Sequence, residues 1–106
     1  SKALKKLNIP LRRFKTGSGD CYVMAATFYW MAKVAGYDAH YVKGYFQKSG
    51  GKKGAHAWVE IDQKVNGKKK TYVYDPNFQK EYKLNGYKLT YGAKRTLKYV
   101  NYKRVN

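Results

Sequence analysis

The chain has 106 residues, 43% of them hydrophobic, with 23 Lys and Arg against 6 Asp and Glu and a formal net charge of +17. That length bounds it to one domain with a modest core, and no apolar run reaches the ~20 residues of a membrane-spanning helix. The single cysteine, Cys21, excludes an internal disulfide.

Such a charge draws anionic partners. Only Arg12, Arg13, Arg95 and Arg104 are arginines, and arginine is the basic side chain best suited to reading base edges. The charge therefore reads as surface attraction, to a cell-wall polymer for example, and not as sequence-specific nucleic-acid recognition. A lysine-coated surface with no polyanion partner explains the same numbers equally well. The chain begins at Ser1, so residues 1–106 read as a single domain excised from, or truncated relative to, a larger protein.

In chain order, residues 1–15 mix basic residues with Leu4, Leu7, Ile9, Leu11 and Phe14 and are interrupted by Pro10, which predicts a short helix and a connector. Thr16–Gly19 reads as loop, and Ser18 or Asp20 can cap the next helix. That helix is long, expected from Asp20 to Ala35. Met24, Phe28, Met31 and Ala35 form one stripe, and Ala25, Tyr29 and Ala32 an adjacent one, so it reads as buried nearly all round. Gly36 is a natural terminator.

Strands are expected at Ala39–Phe46, Ala55–Val65, Lys70–Tyr74, Tyr87–Tyr91 and Leu97–Val105. Gln47–Gly54 reads as a mobile basic loop, Asn66-Gly67 as a hairpin turn, and Asn85-Gly86 as another turn. The late tyrosines (Tyr87, Tyr91, Tyr99, Tyr102) read as sheet packing. The fold class is α+β: a buried N-terminal cysteine helix packed on an antiparallel sheet.

The hairpin carries a geometric consequence. If Val65 pairs with Lys68, paired residue numbers sum to 133. Trp58 then faces Asp75, Glu60 faces Val73, and His56 lies diagonal to Asp75 on the same face. Diagonal cross-strand neighbours are roughly 7–8 Å apart, within reach of an imidazole–carboxylate hydrogen bond. Cys21 is then expected from the helix packed on that face.

Cys21 stands where a loop turns into a helix, and free backbone N–H groups there favour a thiolate. The helix end supplies only roughly 0.3–1 kcal/mol, so an imidazolium partner is needed, and His56 is the candidate. Asp75 would accept the other ring N–H and fix the tautomer. Together these residues offer a nucleophile, a base and an orienting carboxylate. Each has a bland counterpart: a buried inert thiol, a structural histidine beside Trp58, and an Asp that merely starts a turn before Pro76. Their joint order favours the chemistry.

Trp58 and Tyr22 are read as walls of the substrate cleft, with core packing as the competing reading of Trp58. Glu60 is read as structural or as a charge partner, and His40 as an exposed strand residue. A metal site from Cys21, His40, His56 and Asp75 lacks closely spaced ligand pairs, so no metal and no cofactor is expected.

The runs GDCYVMAATFYWMAKVAGYDAHYVKGY, GAHAWVEI and TYVYDPNF resemble the transglutaminase-like superfamily, cysteine enzymes of papain-like fold with chain order Cys, His, Asp. The likeness extends from about Thr16 to Phe78. It implies Cys21 as nucleophile, His56 as general base and acid, and Asp75 as the orienting residue. The implied activity is acyl transfer or hydrolysis at amide bonds through a Cys21 thioester, on a protein or peptide acyl donor. Independently of the likeness, the chain is expected to be a monomer without a membrane span. The secreted bacterial members are the most similar, which implies an extracellular or cell-wall location. Family members usually carry a longer helical segment before the cysteine, which can supply an oxyanion donor. Here twenty residues precede Cys21 and none is Gln. The Cys21 N–H is one donor, the second is unassigned, and loss of one such donor costs ~10²–10³ in rate, so impaired activity is expected of this short form. The alternative is a non-catalytic basic module that holds anionic polymers, whether wall polymer or nucleic acid.

Overall fold

A computed structural model describes residues 20–106. The helix expected within residues 1–15, the Thr16–Gly19 loop and Ser18 as a cap lie outside them. The described elements are α1 (Asp20–Val34), β1 (Asp38–Gln47), a single 3₁₀ turn (Ser49–Gly51), β2 (Lys53–Val65), β3 (Lys68–Tyr74), α2 (Pro76–Tyr82) and β4 (Tyr99–Arg104). The four strands form one antiparallel sheet in the order β3-β2-β1-β4, with α1 packed against it. The α+β class and the helix-on-sheet arrangement hold.

The residues dictate this arrangement through two alternating patterns. Along β2, Ala57, Val59 and Ile61 join Ala39 of β1, Tyr74 of β3 and the α1 residues Met24, Phe28 and Ala32 in the main core. Their neighbours Trp58 of β2, Val42 of β1 and Val73 of β3 pack with Tyr99 on the opposite face. Both faces of the central strands are therefore covered, which is why residues 56–62 of β2 are buried without interruption.

The turn between β2 and β3 has Asn66 at φ 52° and Gly67 at φ 78°, the left-handed pair of a type I′ hairpin. The pairing runs from Val65↔Lys68 to Val59↔Tyr74, the register expected from the sequence.

Four expectations need correction. Helix α1 is covered on one side only, since Val23, Trp30 and Val34 are exposed; among the described residues, the sheet and α2 reach just one of its faces. The Gln47–Gly54 loop is shorter than expected, because β1 extends to Gln47 and β2 begins at Lys53. Tyr87–Tyr91 is no strand: a lone bridge joins Leu89 to Val73, and Lys88 at φ 56° breaks the extended path. Helix α2 has no counterpart among the expected elements. Its first residue is Pro76, which suits a first turn that needs no N–H there.

Candidate active site

The β2/β3 register brings His56 to Asp75. The ladder stops at Val59↔Tyr74, one pair short of Trp58 facing Asp75. The Asp75 N–H turns instead to the Gly86 carbonyl at 2.6 Å, and the chain enters α2. His56 is then diagonal to Asp75, and its Nε2 lies 2.7 Å from Asp75 Oδ2. Both residues are buried. Phe46 meets the His56 ring edge-on and Tyr99 lies stacked beside it, with centroids at 5.4 and 6.4 Å.

Asp75 serves two structures with one carboxylate. Oδ1 accepts the Phe78 N–H at 3.1 Å and caps α2. Oδ2 accepts from His56 and from the Tyr99 hydroxyl, the latter at 2.6 Å. Asp75 thus starts the turn into α2 and, with the same carboxylate, contacts the His56 ring. Gly86 is needed at close quarters: a Cβ there would run into the Asp75 carbonyl oxygen.

Tyr99 is a site residue that sequence reasoning missed. Its sequence signal is only one more tyrosine in an alternating run. Its place follows from a long-range pairing, Phe46↔Tyr99, between β1 and β4. Burial and the Asp75 charge push its hydroxyl well above the ordinary tyrosine range, so it stays a donor.

Cys21 is the second residue of α1 and is buried. Its backbone N–H is among the first four of the helix, which have no partner within it. Burial pulls the His56 pKa down, but the hydrogen bonds with Asp75 and with the Cys21 thiol outweigh it and raise the group to about 9. With Nε2 on Asp75, the other ring nitrogen, Nδ1, is the one left for the thiol.

Cys21 is delivered differently from the expectation. Helix α1 packs on the sheet face of Ala57 and Val59, whereas His56 belongs to the alternate set with Trp58. The thiol can act on the imidazole because both stand at ends of their elements: Cys21 in the first turn of α1 and His56 in the fourth position of β2.

The two expected cleft walls separate. Tyr22 is half-buried and lines a cavity of about 340 Å³ with residues of β1, β2 and β4. Trp58 lines no part of that cavity. It is fully buried, its ring centroid lies 4.4 Å from that of Tyr99, and its Nε1–H donates to the Tyr91 hydroxyl at 2.8 Å. Trp58 therefore supports Tyr99 from behind, and its packing reading is the one the contacts match.

Glu60 pairs with Arg104 at 2.6 Å and accepts from the Tyr91 hydroxyl, as a charge partner should. His40 is less exposed than expected. Its Nε2 lies 3.1 Å from Asp38 and 3.3 Å from Asp62. Among the described residues these three have ligand atoms within 4.8 Å of one another, unlike the set Cys21, His40, His56 and Asp75: in the β1/β2 register His40 faces Glu60 and His56 faces Gly44. Asp62 already holds Arg104 at 2.7 Å and Lys69 at 3.5 Å. Burial pushes its carboxyl up, but the Arg104 and Thr71 hydrogen bonds prevail and hold it well below the usual carboxylate range.

Compared with known proteins, residues 2–76 match a family model described as the transglutaminase-like superfamily. No curated protein and no solved structure gives a significant match.

Proposed function

The chain belongs to the transglutaminase-like superfamily, and from that premise we propose that it is a cysteine-dependent enzyme that cleaves or transfers acyl groups at amide bonds, with Cys21 as nucleophile, His56 as base and acid, and Asp75 as the orienting residue. The observation that carries this reading is the buried 2.7 Å contact of His56 Nε2 with Asp75 Oδ2, with the Cys21 thiol bearing on the same ring.

The steps follow from these positions. With its proton already held by His56, whose pKa is raised to about 9, the Cys21 sulfur attacks the acyl carbon as thiolate. A C–S bond forms and, as the tetrahedral intermediate collapses, the C–N bond breaks; His56 returns the proton to the leaving amine. Water then attacks the thioester as its proton passes to His56; a C–O bond forms, the C–S bond breaks, the acid leaves, and Cys21 is restored as thiolate beside the protonated His56. The Cys21 N–H donates one hydrogen bond to the developing oxyanion. An amine in place of water would give transamidation; water is the default acceptor, as no described feature marks an amine site. Asp75 holds the ring in one tautomer and stabilises its charged form.

A direct test uses p-nitrophenyl acetate. The wild type should release a burst of p-nitrophenol equal to the protein present, and intact-mass and peptide analysis should place the acetyl group on Cys21, removable by hydroxylamine. Cys21→Ala should abolish the burst. Acetylation of lysines alone, with no Cys21 adduct, would overturn the reading.

A further inference from the structure

The cavity lined by Tyr22, the residue that follows Cys21 in the chain, carries charge of one sign only. Its lining includes Tyr22, Lys43, Tyr45, Ala55, Tyr102 and Lys103, with no acidic residue among the lining positions. Tyr22 follows Cys21 and Ala55 precedes His56 in the chain. Lys43 of β1 and Lys103 of the edge strand β4 are cross-strand partners, so two like charges stand in register despite their repulsion. The Lys43 Nζ stands 5.9 Å from the ring centroids of both Tyr22 and Tyr41. Both tyrosine hydroxyls are raised, by burial first and then by the Cys21 charge. Lys43 therefore stands against two rings, one of them on the residue that follows Cys21.

Three further features describe the occupant. The volume, about 340 Å³, falls at the small end of ligand sites, ~300–1,000 Å³, and suits a few side chains better than a polymer strand. Tyr45 and Tyr102 are exposed large rings in its wall. Among the described residues β4 is an edge strand, whose free backbone groups fit an extended peptide.

We propose that this cavity binds the acyl-donor peptide and selects one bearing Asp or Glu beside the reacting amide, with Lys43 and Lys103 as the specificity residues. The proposal rests on the acyl-transfer reading above, and its test separates the two.

Cys21 alkylation is measured with anionic iodoacetate and neutral iodoacetamide in the full chain, in Lys43→Gln/Lys103→Gln, and in Lys64→Gln/Lys70→Gln, which removes the same charge from the distant β2–β3 hairpin. The iodoacetate-to-iodoacetamide rate ratio should fall about threefold or more in the first variant and stay unchanged in the second. A Glu-rich octapeptide should slow iodoacetamide alkylation of the wild type, and a Lys-rich one should not. An equal fall in both variants would reduce the effect to net charge and overturn the proposal, as would protection by polygalacturonate but not by the acidic peptide. If neither reagent outpaces its reaction with a free thiol, the acyl-transfer reading falls first. If both do and the ratio ignores Lys43 and Lys103, only the cleft assignment falls.

Discussion

Asp75 Oδ2 lies 2.7 Å from His56 Nε2 while Oδ1 of the same carboxylate caps α2 through the Phe78 N–H. The imidazole is therefore anchored to the start of a helix. Asp75→Asn separates the two roles, since asparagine caps a helix about as well as aspartate but carries no charge. The p-nitrophenol burst rate should fall by about 10² or more. By NMR, the His56 titration midpoint should drop from about 9 to near or below its ordinary 6.5, because burial then acts with less opposition. An unchanged midpoint would contradict the assignment.

The same pair sets a pH dependence of stability. His56 has a folded pKa raised to about 9 against 6.5 unfolded. Its contribution is fully present below pH 6.5 and is lost as pH rises through 9. Urea unfolding should show the wild type losing up to about 3 kcal/mol between pH 6.5 and 9.5. His56→Gln should flatten that window.

Tyr99 donates to Asp75 from β4 at 2.6 Å. Tyr99→Phe keeps the ring stacked on His56 and removes only the hydroxyl. It should cost about 1–3 kcal/mol in unfolding free energy and lower the burst rate less than tenfold. A loss as large as that of Asp75→Asn would contradict this supporting role.

How much of this was legible in the sequence depended on range. Val65 and Lys68 are close in the chain, and Asn66-Gly67 specifies their turn, so the pairing that aligns His56 with Asp75 could be counted residue by residue. The helix of Cys21 was equally visible, in its apolar spacing. Tyr99 could not be found that way, because its position depends on β4 pairing with β1 across more than fifty residues. Local periodicity also gave no sign that α1 would pack on the Val59 face while His56 turned to the other, since Cys21 reaches the ring only from a helix end. Trp58 beside His56 looked like a cleft wall because alternation assigns a face but not its cover, which Tyr99 and Tyr91 provide.

Away from the site, Arg104 joins Glu60 and Asp62, two buried acids, from β4. Arg104→Met should destabilise the fold by about 1–2 kcal/mol at pH 7, a value moderated by the partial exposure of Arg104. The Asp62 carboxyl is depressed in the folded state, so the pair's contribution is present above the unfolded carboxylate pKa of about 4 and is lost as pH falls. The difference between wild type and variant should accordingly shrink below pH 4 in urea titrations.

The most direct test of the central claim is the rate of Cys21 alkylation by iodoacetamide from pH 4 to 9 in wild type and His56→Ala. An imidazolium that stays charged up to about pH 9 should keep Cys21 reactive in the wild type at pH 6, by about tenfold or more over His56→Ala. Equal profiles in the two proteins, or a thiol inert throughout, would contradict the pairing of Cys21 with His56 and with it the catalytic reading.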